Sequence, residues 1–304
     1  MTVTPSNVSA SAAAALAFRG LRIELRTPNG PRAIVGGIDI ALGRGRIHGL
    51  AGESGSGKTV TILAVLGLLP DSMSVSGSIV LDAPADGTGE PIELVGAGGS
   101  VLGAVRGRRV AMVFQDPSTS LHPQLSVGRQ LTDHVRHHLK LGKQEARDRA
   151  VSLLTRVRVP DPASALAKFP HQFSGGQRQR IAIAVALACD PDVLLADEPT
   201  TALDVTVQAG VLQLLRDLVD ETNLSVLLVT HDLGVMSAIA DEVTVMRAGL
   251  VVESAPRQKL FTAPRHEYTK SLLAALPGST LEAPPDVLAE KLFEHPKNEE
   301  RVDV

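Results

Sequence analysis

The stretch GESGSGKT, residues 52–59, lies between two apolar runs, RIHGLAG before it and KTVTILAVLGLL after it. It matches the pattern G-x-x-x-x-G-K-[ST] in the setting that gives the pattern meaning, a strand entering and a helix leaving. Gly52, Gly55 and Gly57 let the backbone curl tightly. The N–H groups of the loop then converge on phosphate oxygens at the positive end of a helix dipole. Lys58 adds a mobile charge for the β- and γ-phosphates, and the Thr59 hydroxyl is an oxygen ligand of the kind Mg²⁺ takes. The stretch therefore predicts an α/β protein that binds a nucleoside triphosphate.

Working outward, DVLLAD and LSVLLVTH are continuous apolar runs bounded by polar residues. Strands of a parallel sheet buried on both faces have that pattern. LRIELRT and AIVGGIDIALG predict two strands joined by a turn at PNGP, RVAMVFQD a further strand, and DEVTVMRAGLVVESA a hairpin around Ala248 and Gly249. Residues 82–108, rich in Gly, Ala and Asp, predict a loop or weak hairpin, and the amphipathic, charged pattern from Val127 to Val157 predicts helices. Residues 1–16 are expected to be a flexible leader without the basic start of a signal peptide, and residues 281–304 a loose tail.

Composition narrows the functional classes. The chain has 304 residues, 44% of them hydrophobic, and a net charge of −3, so nothing marks a surface for nucleic acid. Aromatic residues make up 2% with no Trp, which argues against base stacking. The lone Cys189 excludes a disulfide framework or a multi-cysteine metal site in this chain. No apolar run reaches the 18 or so residues of a membrane span.

VLLADE delivers Asp197 and Glu198 at the end of an apolar strand. Beside a phosphate loop, such a pair serves as Mg²⁺ holder and general base, Asp197 for the first role and Glu198 for the second. Gln115 in VFQDP and His231 in VTHD leave strands in the same way. Gln115 suits Mg²⁺ or the attacking water and His231 the γ-phosphate; each also reads as an ordinary polar residue at a strand end. FSGGQRQ, residues 173–179, offers two glycines before a helix but no nucleophile or base. His134, His137 and His138 share a helix face at a spacing that can bind metal. With no carboxylate or thiol to complete the set, a solvated face is the simpler expectation.

Together, GESGSGKT, VFQDP, FSGGQRQR, VLLADEPTTALD and VTHD resemble, in order and spacing, the ATP-binding cassette (ABC) transporter ATPases over about residues 17–280. GESGSGKTVT, VFQDPSTSLHP, DEPTTALDVTVQ and LFTAPRHEYTKSLLAALP are similar to the oligopeptide/dipeptide/nickel importer branch. The resemblance implies a P-loop NTPase core with a mainly parallel sheet and an N-terminal antiparallel β subdomain. It also implies an ATPase domain over 17–255, a helical subdomain at about 116–180 and a short C-terminal extension over 256–280.

Carried over by motif, Gly52, Glu53, Ser54, Gly55, Ser56, Gly57, Lys58 and Thr59 form the ATP loop and Gln115 is the Q-loop residue. Asp197 holds Mg²⁺ with Thr59 and Gln115, Glu198 is the catalytic base, and His231 is the switch histidine. Ser174, Gly175, Gly176 and Gln177 are the signature, and Asp204 belongs to the D-loop. In the family two cassettes dimerise head to tail, each signature closing over the other's ATP. The implied partners are a second cassette, two transmembrane permeases and an extracytoplasmic solute-binding protein, with this chain peripheral on the cytoplasmic face of the membrane.

Three features depart from the pattern. Leu25 stands where the family stacks an aromatic ring on adenine, Glu267 stands where the branch has proline, and Cys189 alone cannot supply the cysteine cluster of some peptide importers. The resemblance implies uptake of di- or oligopeptides; the alternatives are a nickel or other small-solute importer and a soluble ABC ATPase of DNA repair or translation. The last needs a long coiled coil, zinc cysteines or two cassettes, and the sequence has none of them.

Overall fold

The computed structural model describes residues 14–84, 87–116, 120–201 and 203–275. Its first sheet is antiparallel, in the order β2-β1-β4-β5. β1 is Ala14–Thr27, β2 Gly30–Gly43, β4 Met73–Leu81 and β5 Ile92–Glu93. The second sheet contains β3 (Ile47–Ala51), β6 (Val110–Val113), β7 (Val193–Asp197), β8 (Ser225–Val229), β9 (Glu242–Arg247) and β10 (Leu250–Pro256). Its order is β10-β9-β3-β8-β7-β6, parallel except for β10 at one edge.

The parallel strands read as unbroken apolar runs because both their faces are covered. Every residue of β7 and β8 is buried. Val193 and Leu195 of β7 and Leu227 and Val229 of β8 point into one core. Leu194, Ala196, Val226 and Leu228 point into the other. The first core is closed by the antiparallel sheet and helix α1 (Lys58–Val65). The second is closed by α3 (Val127–Leu139), α4 (Lys143–Arg156), α6 (Gly175–Ala186) and α7 (Val205–Thr222). Between them come α2 (Gly99–Val105) and the short α5 (Pro162–Ala165). The chain continues through α8 (Leu233–Ile239), α9 (Arg257–Thr262) and α10 (Glu267–Ala274). Each fully buried Leu or Val contributes about 1.5–3 kcal/mol, so this double burial holds β7 and β8 at the centre of the sheet.

Parallel strands share a carboxyl edge, and whatever follows them opens on it. The loop after β3 is the phosphate loop, Gln115 follows β6, Asp197 ends β7, and His231 follows β8.

Three expectations need correction. β1 begins at Ala14, so residues 14–16 of the expected leader are strand, with Ala15 2% and Leu16 0% exposed. Leu16 pairs with Leu42 on one side and Leu81 on the other. Residues 82–108 carry not only the short β5 but also α2, anchored by buried Val105 and by the Arg106 Nε–H donating to Leu66 O at 2.7 Å. α1 is shorter than its apolar run, because Gly67 takes a left-handed φ of 58° and turns the chain. Residues 1–13 of the leader and the tail over 281–304 lie outside the described residues.

Candidate nucleotide site

The phosphate loop is curled around its own lysine. Gly52 has φ 146°, and a Cβ there would come within 2.2 Å of Met246 O, so only glycine fits. Lys58 is 6% exposed. Its Nζ donates to Gly52 O at 2.7 Å, Glu53 O at 2.9 Å and Ser56 Oγ at 3.4 Å. Burial pushes the Lys58 pKa down, against the opposing pull of Glu198, Asp197 and Glu53. α1 starts at Lys58 after Gly57, with no side-chain cap and no acidic residue in its first turn. Its N-terminal N–H groups are thus left for an anion.

The Thr59 hydroxyl donates to Asp197 Oδ1 at 3.2 Å, linking α1 to β7. Burial pushes the Asp197 carboxyl up, opposed by the Thr59 hydrogen bond; neighbouring Glu198 adds to the rise and Lys58 counters it. A hydroxyl and a buried carboxylate held this close form an all-oxygen donor pair, which fits Mg²⁺. Gln115 is not bonded to that pair. Its Nε2–H donates to Glu198 Oε2 at 3.0 Å.

Glu198 is the hub of the edge. Its φ is 45°, a left-handed value that is strained for a residue with a side chain, and its N–H is tied to Val229 O at 2.8 Å. Besides Gln115, Oε2 accepts from Thr201 Oγ1 at 3.0 Å, and Oε1 lies 2.9 Å from His231 Nδ1. Gln115 and His231 are therefore not merely polar residues leaving strands, since both turn onto one carboxylate. Thr201 was missed from sequence. Its place three residues after Glu198, in a turn where Thr201 N–H donates to Glu198 O at 3.3 Å, is the only local signal for it. Tyr268 was missed as well, although its hydroxyl accepts the Glu53 N–H at 3.2 Å.

The signature residues stand apart from this edge. Ser174 is exposed and caps α6. Its Oγ accepts from Gln177 N–H at 3.3 Å, and Gln177 Oε1 accepts from Ser174 N–H at 3.0 Å, a reciprocal capping box. Gly176 is enclosed, because a Cβ there would lie 2.3 Å from Val207 Cγ1, whereas one at Gly175 would meet only Leu203 at 3.8 Å. Asp204 caps α7, accepting from Val207 N–H at 2.9 Å. Leu25, half-buried in β1, pairs with Arg32 and Met73.

The histidine face of α3 is only partly solvated. His137 is exposed, but His134 packs against Gly107, and burial pushes its pKa down. Among the described residues no group of three His, Cys, Asp or Glu side chains is arranged to hold a metal. His134 instead lines a groove of about 240 Å³ with Leu68, Met112, Phe114 and Val185. Leu68 and Phe114 are 45% and 40% exposed there. Among the described residues no helix is long and apolar enough to cross a membrane.

The family pattern described as ABC transporter matches residues 35–201. The chain is 43% identical over 263 residues to the dipeptide transport ATP-binding protein DppD of Bacillus subtilis, spanning 86% of this chain and 76% of that protein. To the oligopeptide transport ATP-binding protein OppD of the same organism it is 43% identical over 270 residues, 88% of this chain and 73% of that one. Among solved structures it resembles the dimeric ATP-binding cassette MJ0796 in a post-hydrolysis state bound to ADP and Pi. The TM-score is 0.67 at 24% identity, over 80% of this chain and 98% of that one, which is a likeness of fold. A match that runs from β2 through the phosphate loop and both carboxylates, with relatives this similar over most of their length, shows that the chain belongs to the ABC transporter family, as one of its ATP-hydrolysing cassettes.

Proposed function

We propose that this cassette powers the uptake of di- or oligopeptides, with ATP bound at residues 52–59 and hydrolysed at Glu198. The observation that carries the catalytic assignment is the convergence of Gln115, Thr201 and His231 on that one carboxylate at 2.9–3.0 Å. The names of the relatives, dipeptide and oligopeptide transport proteins, support the cargo.

The main-chain N–H groups of the loop hold the β- and γ-phosphates, and Lys58 exchanges its loop carbonyls for phosphate oxygens. Thr59 and Asp197 would hold Mg²⁺, with Gln115 joining them once its amide leaves Glu198. Bound there, Mg²⁺ supplies positive charge against the phosphate oxygens. Glu198 takes a proton from the attacking water, whose oxygen bonds to the γ-phosphorus as the bond to the ADP oxygen breaks. His231 and Thr201 hold the carboxylate toward that water.

The second half of each site comes from another cassette. The exposed Ser174 cap, with Gly175, Gly176, Gln177 and the D-loop Asp204, closes over the partner's ATP, so that binding drives a movement and hydrolysis releases it. The groove beside Phe114 receives a cytoplasmic helix of a permease. Two permeases, a second cassette and an extracytoplasmic solute-binding protein complete the assembly, with this chain peripheral on the cytoplasmic face of the membrane.

Glu198→Gln tests the chemistry. ATP binding should persist while turnover falls by about a hundredfold or more; unchanged turnover sinks the assignment. Uptake of labelled peptides by the reconstituted complex tests the cargo, and uptake of Ni²⁺ without peptide would transfer it to the nickel branch.

A further inference from the structure

Tyr268 is the only tyrosine in the chain. It lies in α10, 215 positions beyond Glu53, and its hydroxyl accepts the Glu53 N–H at 3.2 Å. Glu53 is therefore held from two sides. Its N–H reaches out to Tyr268, and its carbonyl accepts from Lys58 Nζ at 2.9 Å. That N–H is committed to a side chain from outside the ATPase core.

The phenol is also fixed from behind. Tyr268 is 6% exposed. The Arg247 guanidinium, at the end of β9, lies 4.7 Å from the centre of its ring. Tyr268 N–H donates to His266 Nδ1 at 3.1 Å, which caps α10. The Glu253 carboxylate of β10 accepts the N–H groups of Arg265 at 2.8 Å and His266 at 3.0 Å, pinning the turn before the helix to the sheet. Burial pushes the phenol pKa up, so the hydroxyl stays neutral at ordinary pH. The same strand that brings Arg247 over the ring also brings Met246 O against Gly52, so the two ends of the loop's entry rest on one support.

We propose that Tyr268 is a positioning residue for ATP binding: its hydroxyl fixes the Glu53 peptide, and with it the curl of the phosphate loop, so that the C-terminal segment from Arg265 to Ala274 sets the ATP affinity of this site. The inference rests on the assignment of residues 52–59 as the ATP loop. It differs from that assignment in making a segment beyond the ATPase core part of the binding site.

Tyr268→Phe keeps the ring, its burial and the Arg247 contact while deleting the hydroxyl that accepts the Glu53 N–H. In the full chain, ATP titrated by calorimetry should show a dissociation constant raised about fivefold, the usual worth of one such bond. The melting temperature should fall by no more than a few degrees, the cost of about one such bond in a chain of this size, and the kcat at saturating ATP should stay unchanged, with the loss appearing in KM. Glu253→Gln, which loosens the turn without touching the ring, should raise the dissociation constant in the same direction. A dissociation constant for Tyr268→Phe within 1.5-fold of the parent overturns the proposal, as does a loss confined to kcat. If the parent chain itself binds no ATP, the assignment of the loop fails and the inference with it, so the two failures are told apart by the parent measurement.

Discussion

Gln115 donates its amide N–H to Glu198 across 3.0 Å, although the two residues are 83 positions apart and follow different strands. The carboxylate is thus anchored by a loop that, on the proposed reading, must release it to reach Mg²⁺. Thr201 is the donor that can remain, since its hydroxyl bonds the same oxygen at 3.0 Å from the turn that follows Glu198.

Thr201→Val tests that division of labour. It removes a hydroxyl of similar volume and leaves Glu198 with Gln115 and His231. The kcat for ATP hydrolysis should drop about three- to tenfold, in line with about 1 kcal/mol for one lost hydrogen bond, with ATP affinity unchanged. Steady-state kinetics and a binding titration on the same preparation decide it, and an unaltered kcat removes Thr201 from the mechanism.

His48 gives a pH signature of the fold. It is 3% exposed in β3, with Nε2 at 2.8 Å from Thr244 Oγ1, while Glu242 Oε2 lies 3.8 Å from Nδ1, beyond hydrogen-bond reach. Burial pushes its pKa down to about 4, against a smaller opposing effect of a main-chain bond with Ala41. The folded pKa lies below the unfolded value of about 6.5, so the neutral imidazole contributes stability above that value, and the contribution is lost as pH falls toward 4. Between pH 7.5 and 5 the chain should lose about 2 kcal/mol from this group. Denaturant titrations at the two pH values should show His48→Gln losing less by about that amount; equal losses would assign the pH dependence elsewhere.

The legible parts of the fold and site were those in which local pattern and tertiary role coincide. β7 and β8 are apolar at every position because two cores need them, and the phosphate loop is glycine-rich because Gly52 has no room for a Cβ. The start of β1 was hidden because Ala14 and Ala15 have weak strand preference, and pairing of Leu16 with Leu42 and Leu81 imposes the strand. α2 was hidden by Gly99 and Gly103, poor helix formers held in place by Val105 and the Arg106 bond to Leu66. The contact of Tyr268 with Glu53 was not legible in LFTAPRHEYTKSLLAALP, because it depends on where the C-terminal helix docks.

The two signature glycines should behave differently. Gly176→Ala would push a Cβ to 2.3 Å from Val207 Cγ1, so it should destabilise the isolated chain by about 1–3 kcal/mol, the usual range for overpacking, and Val207→Ala should restore much of the loss. Gly175→Ala meets only Leu203 at 3.8 Å and should leave the isolated chain as stable as the parent or slightly more so. If the face of Gly175 closes on a partner's nucleotide, that same variant should still lose ATP-driven dimerisation. Thermal melts combined with size-exclusion in ATP separate the two effects, and a Gly175→Ala chain that dimerises normally counts against close approach at this residue.

Ser174 combines a structural and a proposed functional role that substitution can separate. As N-cap of α6 it accepts from Gln177 N–H at 3.3 Å, so Ser174→Ala should cost about 1 kcal/mol of stability. Ser174→Asp keeps an oxygen at the cap and adds a negative charge favourable to the helix N-terminus, so the isolated chain should melt at or slightly above the parent temperature. That same charge would face the phosphates of the partner's ATP, where like charges repel. ATP hydrolysis by the assembled dimer should therefore collapse in Ser174→Asp while ATP binding to the isolated chain, through its own Lys58, stays intact. Mixing Ser174→Asp chains with Glu198→Gln chains sharpens the test. In such a mixed dimer the only intact signature and the only intact base serve the same site if the signature acts in trans, and opposite sites if it acts within its own chain. A trans signature pairs the intact Ser174 of the Glu198→Gln chain with the intact Glu198 of the other, so one working site survives in each mixed dimer, and a 1:1 mixture, in which about half the dimers are mixed, recovers to about a quarter of the parent rate. If the signature acted within its own chain, the mixed dimer would stay as inactive as either variant alone.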